Sequence, residues 1–319
     1  ARVLGIPIHL VEVDVLRLGG AFGGKEDQAT PWAVIAALGT HLTGRPVRLV
    51  LKRHEDLVNT GKRHPYSSDF TIGLDEHGKI LVWKVNYFQN SGAVSDLSTA
   101  ILERTLFHST ASYYVPNVSA TGYCCRTNLA PNTAFRGFGG PQAMFVMEAA
   151  IHKASIETGI PVEKIQSTNL LQKGDIFPYG MEYTCDEVRT SWTLAEKLSD
   201  LRNTRQSIAK FKSSNRYIKK GLSMMPVCFG ISFTTTFLNQ ANALVHVYTD
   251  GSVGVSTGAV EMGQGVNSRI RQVASDVFSI PVEKTRVEST NTSRTANTSP
   301  TAASSGADMN GNAAEIACR

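Results

Sequence analysis

The amino-acid sequence predicts an α+β protein of two domains, because strand-type and helix-type patterns are mixed along its 319 residues. Three observations support this prediction: a strand–loop–helix unit near the N-terminal end, two hairpin turn signals, and two long helix-type stretches. We predict one domain over residues 1–175 and a second over residues 176–319. The division lies in the polar, glycine-poor stretch 171–215.

The first predicted unit combines a strand, a glycine loop and a helix. Residues 9–18 alternate between polar and apolar side chains, which is typical of a half-buried strand. The loop 19–24 follows, and its glycines make it flexible. The helix 27–43 has Pro31 near its start and Gly44 just past its end, as helix termini prefer.

The remaining elements follow from turn signals and periodicity. Hairpins are predicted at residues 75–78 and 250–251, where Asp- and Gly-containing turns stand between alternating β-branched or aromatic residues. Residues 142–158 and 186–214 are predicted to be helical. No internal repeat of 20–50 residues is apparent in the sequence.

Composition and charge narrow the class of partner. Hydrophobic residues make up 42% and charged residues 18% of the chain, which suits a globular core. The net charge is only +5, and the basic stretch 210–220 lacks the interleaved aromatics of a nucleic-acid groove. No apolar stretch approaches the roughly 18 residues of a membrane span. We therefore expect neither nucleic-acid nor membrane binding.

Cysteine and histidine usage points to a cytoplasmic protein without a zinc site. The five cysteines are odd in number and show no C-x-x-C spacing, so a disulfide framework is not expected. The eight histidines form no H-E-x-x-H pattern.

The chain begins without Met and stops at Arg319 within a helix-type stretch, from which we expect a fragment of a longer protein.

Four loops of small residues, each followed by a helix-type stretch, are the most informative feature. They are residues 19–24, 135–141, 261–265 and 298–306. Glycine allows a backbone to approach a ligand closely, and a helix start offers unpaired N–H groups to an anion. One such loop is usually only a turn, but four together predict a large anionic cofactor.

A nucleotide is the obvious alternative ligand. Gly19 to Lys25 match the first seven positions of a phosphate-binding P-loop, but the eighth must be Ser or Thr and is Glu26. A carboxylate there would repel phosphate. The G-x-G-x-x-G spacing of a dinucleotide fold is also absent. The sequence therefore disfavours a nucleotide site.

The loops resemble those of the xanthine dehydrogenase and aldehyde oxidase family, in order and from end to end. The matching segments are residues 17–26, 132–142, 230–234, 261–265 and 297–304. The resemblance implies two molybdopterin-binding domains, both truncated. In that family a pterin dithiolene, not protein side chains, holds the molybdenum, which accounts for the missing His and Cys pattern.

The resemblance also implies roles for individual residues. Phe22, Arg136 and Ala303 would surround the metal's ligands, where Arg136 supplies a fixed cation beside an anionic centre. Four residues would bind the pterin cofactor: Gly23, Gln264, Ala302 and Ser304.

Substrate binding is assigned to Glu26, Arg104, Phe138, Phe233 and Thr234. Xanthine-oxidising members resemble this chain in having a Glu after the first loop's Lys and an Arg before a Leu-Phe-His run. Aldehyde oxidases carry apolar residues at both places. A carboxylate and a guanidinium can hold a purine's polar edges while two aromatic rings stack on it. Taken singly, Glu26 could complement a helix dipole, Arg104 could pair with its neighbour on a helix face, and both phenylalanines could be core residues.

The implied reaction is oxidation of hypoxanthine or xanthine toward urate, with water as the oxygen source. Electrons would pass through [2Fe-2S] clusters and FAD to NAD in other domains or subunits of a homodimeric parent enzyme. The family's catalytic base is a glutamate expected beyond Arg319, so these residues contain no catalytic base and the isolated chain is predicted to be inactive. Two alternatives stay open: an aldehyde or other N-heterocycle hydroxylase of the same family, and a non-catalytic cofactor-carrying module.

Overall fold

A computed structural model describes residues 1–295 and 298–319 as a mixture of helices and strands. The α-helices are α1 (Thr30–Thr43), α2 (Arg53–Asn59), α3 (Ser98–Phe107), α4 (Gly140–Thr158), α5 (Val162–Asn169), α6 (Glu187–Leu198), α7 (Leu201–Ser214), α8 (Val266–Phe278) and α9 (Gly306–Cys318). The strands are β1 (Asp14–Val15), β2 (Tyr66–Leu74), β3 (Ile80–Gly92), β4 (Asn117–Arg126), β5 (Ala243–Val247), β6 (Val253–Thr257), β7 (Thr285–Val287) and β8 (Thr290–Asn291). Among these described helices, none is both long and apolar enough to cross a membrane.

The chain folds into two compact units that interleave along the sequence. Unit 1 comprises residues 1–63, 130–136 and 230–319, and unit 2 comprises residues 64–129 and 137–229. The predicted domains, in contrast, are two consecutive segments divided after residue 175. That division stays a prediction about the sequence.

Unit 2 is built on a three-stranded sheet. The turn at residues 75–78 joins β2 and β3 as an antiparallel hairpin, which confirms the prediction, and β4 pairs with β3 in parallel. Alternate β3 side chains Trp83, Val85 and Tyr87 are fully buried because they face the core that α4 covers. The parallel pairing of β4 requires a crossover, and α3 lies in that connection.

Unit 1 repeats this order of elements in its C-terminal part. The predicted turn at residues 250–251 joins β5 and β6 as an antiparallel hairpin, α8 forms the crossover, and β7 pairs with β6 in parallel. Val255, Ile270 and Ala314 are fully buried where α8 and α9 pack with the sheet. In both units a glycine- or alanine-lined loop then leads into a further helix, α4 or α9.

Two of the sequence predictions need correction. The predicted strand 9–18 is wrong for most of its length: residues 8–10 form a 3-10 turn, and only β1 pairs, with β8. Leu10 and Leu16 are exposed, so their alternation does not mark a buried face. The predicted helices 27–43 and 142–158 are confirmed as α1 and α4, while 186–214 is two helices because Asp200 adopts a left-handed φ of 43°.

Candidate functional site

The loops singled out in the sequence are connected by hydrogen bonds within unit 1. The backbone N–H of Leu18 donates to the carbonyl of Glu261 at 2.9 Å, which joins the first loop (residues 19–24) to the third (261–265). Val260 N–H donates to Thr301 Oγ1 at 2.9 Å, which joins the third loop to the fourth (298–306). The segment 230–234 is joined to the fourth loop in turn, because Ser232 N–H donates to Ala303 O at 2.8 Å.

The first loop also packs against the chain that leads into the second loop (135–141). Gly23 has a φ of +95°, and a Cβ added there would lie 2.9 Å from the backbone carbon of Ala134, which is buried. Only glycine permits this approach. Arg63 donates to the carbonyl of Arg136 at 2.8 Å and lies 4.5 Å from the Phe135 ring centroid, so it holds the second loop from the same unit.

Four of the predicted site residues have a strained backbone. Among the described residues, nine other than glycine have a positive φ, and they include Phe22 (53°), Phe138 (47°), Ala303 (54°) and Ser304 (57°). Such conformations cost of order 1–3 kcal/mol each and persist where the surrounding structure enforces them. Phe22 is nevertheless 63% exposed, so its conformation is not explained by burial of its ring. This pattern is typical of a binding site.

The third loop departs from one expectation, because the start of α8 does not offer all its N–H groups to a ligand. The carboxylate of Glu261 accepts from the N–H groups of Gly263 (2.9 Å), Gly265 (3.0 Å) and Asn267 (3.1 Å). Burial by itself raises the pKa of Glu261, but these backbone bonds hold that pKa below its ordinary value. The sequence signal for this cap is Glu261 directly before Met-Gly-Gln-Gly.

Gln264, predicted to bind the pterin, is exposed and bonded within its own loop. Its Nε2 donates to the carbonyl of Val260 at 2.9 Å, and its Oε1 accepts from the N–H of Met262 at 2.6 Å. Arg136, predicted beside the metal, is also exposed. Asn297, the first residue of the matching segment 297–304, lies outside the described residues.

An open cavity of about 640 Å³ lies beside the third loop at the start of α8. Its lining includes Arg17 and Arg271, but Arg271 donates to the carbonyls of Thr285 and Val282 and is therefore structural. None of the three residues predicted to surround the metal lines this cavity. In the described part of the chain, no group of three or more His, Cys, Asp or Glu residues is arranged to hold a metal ion.

Unit 2 contributes two of the predicted substrate residues, Arg104 and Phe138. Arg104 lies in α3 and is only 6% exposed, and burial lowers the pKa of its guanidinium. The residue after Phe138 rests on the same helix: a Cβ added to Gly139 would collide with the carbonyl of Ile101 and lie 2.7 Å from Thr105 Oγ1. Helix α3 therefore fixes Arg104 and the loop that carries Phe138 with respect to each other.

A buried hydrogen-bond network, missed by sequence reasoning, supports this contact. Thr105 Oγ1 lies 3.1 Å from the carbonyl of Gly139 and 2.9 Å from the hydroxyl of Tyr66, which bonds to Gln89 Oε1. Gln89 Nε2 donates to the carbonyl of Ser98 at 2.8 Å. The available signal was Gln89 itself, a polar residue in the buried register of β3.

The other predicted substrate residues belong to unit 1. Glu26 is half-buried and precedes α1, and Phe233 and Thr234 are half-buried in the segment 230–234. The backbone of Phe233 is fixed by Asn239, whose Oδ1 accepts from Phe233 N–H at 2.8 Å and whose Nδ2 donates to Phe233 O at 2.9 Å. Arg104 and the backbone of Phe233 are thus each held by contacts within their own unit.

Comparison with known proteins shows the family to which the segments carrying these loops belong. Two family models, each described as a molybdopterin cofactor-binding domain, match residues 1–170 and 194–319. The chain is 43% identical over 319 residues to a xanthine dehydrogenase/oxidase of Rattus norvegicus and 41% identical over 325 residues to a nicotinate hydroxylase of Emericella nidulans. All of this chain is covered, but it spans only 24% of each of these relatives.

Solved structures show the same fold. A quinoline 2-oxidoreductase of Pseudomonas putida matches with a TM-score of 0.84 at 24% identity, over 98% of this chain and 41% of that one. A Cu,Mo-CO dehydrogenase matches with a TM-score of 0.79 at 20% identity, over 99% of this chain and 42% of that one. The mixed helix-and-sheet prediction, with two molybdopterin-binding domains, is confirmed.

Proposed function

Because the chain belongs to the molybdopterin cofactor-binding domain family, we propose that it forms the cofactor and substrate site of a molybdenum hydroxylase resembling xanthine dehydrogenase. The proposed reaction converts hypoxanthine or xanthine toward urate with water as the oxygen source. Electrons would leave through [2Fe-2S] clusters and FAD to NAD in other domains or subunits of the same enzyme. The observation that carries the proposal is the set of hydrogen bonds from Leu18, Val260 and Ser232 that joins the cofactor loops.

The residues of unit 1 fit a bulky anionic pterin cofactor. At Gly263 and Gly265 a Cβ would meet no atom within 4 Å, so the third loop leaves open space beside its backbone. Phe22, Arg136 and Ala303 are the residues that would surround the metal, and Arg136 would place a fixed positive charge there. Four residues would bind the pterin, namely Gly23, Gln264, Ala302 and Ser304. When bound, such a cofactor supplies the two-electron redox chemistry.

The substrate would be recognised by five residues of this chain. Arg104 would donate hydrogen bonds to a purine carbonyl oxygen and stabilise the negative charge that develops there. This stabilisation is strongest when the guanidinium is shielded from water. Its 6% exposure supports that role. Glu26 would accept a hydrogen bond from a purine ring N–H, Phe138 and Phe233 would stack on the ring, and Thr234 would hydrogen-bond beside them.

A second candidate is hydroxylation of another N-heterocycle, such as the nicotinate named for the fungal relative at 41% identity. Nicotinate carries a carboxylate, which a neighbouring Glu26 carboxylate would repel. A purine has no such charge and offers N–H donors instead. Glu26 therefore favours the purine over nicotinate. An aldehyde substrate and a non-catalytic cofactor-carrying module are weaker alternatives.

The substrate assignment is tested by Glu26→Val combined with Arg104→Met in the complete protein that contains this chain. We expect kcat/KM for hypoxanthine to fall by about 10²–10³, the loss typical of removing one transition-state donor, and preference to shift toward aldehydes. The matched control is Glu76→Val with Arg202→Met, because both side chains are exposed.

Three results are informative. Undiminished purine oxidation in the double variant would refute the substrate assignment. Bound molybdenum and pterin without turnover of any substrate would favour the non-catalytic module. We also propose that the 319 residues alone do not oxidise purines, since they span 24% of their relatives; full turnover by the purified chain would contradict this.

A further inference from the structure

The guanidinium of Arg104 lies over an aromatic ring that the cofactor motifs do not include. Its Cζ is 5.5 Å from the centroid of the Phe229 ring, within the range of a cation–π contact. The negative face of the ring attracts the guanidinium, and burial of Arg104 keeps water from weakening that attraction. The arginine side chain is long and flexible, so this contact restricts where its planar head can point.

The Phe229 ring is itself held from two further directions. The ring of His108 lies 5.1 Å away, centroid to centroid, at an interplanar angle of 38°. The backbone at the start of α4 lies against the ring edge, because a Cβ added to Gly140 would be 2.8 Å from Phe229 Cε2. The ring is 37% exposed, so one part of it stays open. Phe229 is thus a fixed surface rather than a mobile side chain.

His108 connects the ring back to the arginine. Its Nδ1 lies 2.8 Å from the carbonyl oxygen of Arg104, and since a carbonyl only accepts, Nδ1 carries the proton. Burial is the largest influence on this imidazole and lowers its pKa, so His108 is neutral near pH 7 and adds no charge beside Arg104. Ring, imidazole and guanidinium therefore form one contiguous cluster within unit 2.

We propose that Phe229 is a positioning residue that presents the Arg104 guanidinium to the carbonyl oxygen of the substrate. This inference rests on the proposed function, in which Arg104 binds that oxygen. A guanidinium fixed before the reaction stabilises developing charge without reorganising, which is the basis of electrostatic preorganisation. Loss of the ring should therefore weaken catalysis only for substrates that possess such an oxygen.

The test compares two substrates in the complete, cofactor-loaded protein. Hypoxanthine carries an exocyclic carbonyl oxygen, whereas unsubstituted purine has the same ring system without it. In Phe229→Leu we expect the ratio of kcat/KM for hypoxanthine to kcat/KM for purine to fall about twofold to thirtyfold, which corresponds to the range of cation–π energies between exposed and desolvated sites. Phe229→Tyr, which keeps the ring, should restore the ratio, and Phe145→Leu is the matched control because Phe145 is 75% exposed.

Further measurements separate the outcomes. Molybdenum content of each variant reports folding, and Phe229→Met replaces the leucine variant if that protein accumulates poorly. An unchanged ratio in Phe229→Leu, which means equal losses for both substrates, would overturn the positioning role. Arg104→Met alone should lower the same ratio at least as far. If Arg104→Met loses hypoxanthine oxidation while Phe229→Leu keeps the ratio, only this inference fails; if Arg104→Met keeps the ratio, the proposed role of Arg104 fails and this inference with it.

Discussion

Replacing Glu261 with alanine tests whether the third loop is held by its own buried carboxylate. Glu261 is 8% exposed and accepts three backbone N–H groups, from Gly263, Gly265 and Asn267. A hydrogen bond to a charged group contributes about 1.5–3 kcal/mol, so three bonds bound the loss at roughly 4.5–9 kcal/mol. Gly263 and Gln264 are exposed, so water can replace some of the hydrogen bonds that the carboxylate accepts. We therefore expect a net loss of about 2–3 kcal/mol.

Amide hydrogen exchange over residues 262–268 of the complete protein measures that loss directly. A change of about 2–3 kcal/mol in the local opening free energy corresponds to exchange roughly 30- to 150-fold faster in Glu261→Ala. Glu283→Ala is the matched control, because Glu283 is an exposed carboxylate that lines the same cavity. Exchange in Glu261→Ala no faster than in the control would refute the reasoning.

The same site predicts a pH dependence. The folded-state pKa of Glu261 lies below its ordinary value, so the carboxylate stabilises the loop above the unfolded pKa of about 4.3. That stabilisation is lost as the pH falls through the folded-state pKa. The difference in exchange between wild type and Glu261→Gln should therefore be largest at neutral pH and shrink in acid. A difference that grew on acidification would have the wrong sign.

Two further predictions concern the other loop contacts and the core of unit 2. Gly23→Ala forces a Cβ against Ala134 and should lower the molybdenum content of the complete protein, whereas Gly24→Ala, with its nearest contact at 3.5 Å, should not; equal contents would contradict this. Burial raises the pKa of Glu148, so the stability that this group contributes is complete below its unfolded-state pKa of about 4.3 and is lost as the pH rises through the folded-state pKa. In thermal unfolding, wild type should lose stability relative to Glu148→Gln as the pH rises. Parallel pH profiles for the two proteins would exclude this effect of Glu148.

Local elements followed closely from local chemistry. The two hairpins were predictable because Asp and Gly fix a turn within four residues, as when Asp75 Oδ1 accepts from the N–H groups of His77 and Lys79. Helix α4 was predictable from its periodicity. The strand 9–18 was not, because alternation indicates a strand only where a partner covers one face, and here Leu10 and Leu16 remain exposed.

The assignment of site residues stays a prediction, but four of those residues share an unusual backbone conformation. Phe22, Phe138, Ala303 and Ser304 were named from the loops that resemble a known family, and all four adopt left-handed backbone conformations. The engagement of Gln264 in its own loop and the exposure of Arg136 were not foreseeable. Such details depend on which polar groups happen to face each other after folding, and sequence spacing does not encode that.

By itself, the sequence determined the family, the order of the loops and the helices that follow them, because glycines and turn residues restrict the backbone within a few positions. Only the tertiary structure decided which loops meet and which side chains assist them. Phe229 stands 125 positions after Arg104, and Glu261, whose carbonyl accepts from Leu18 N–H, stands 243 positions after Leu18. Contacts at that separation arise from packing of the whole unit, in which each burial and hydrogen bond depends on all the others.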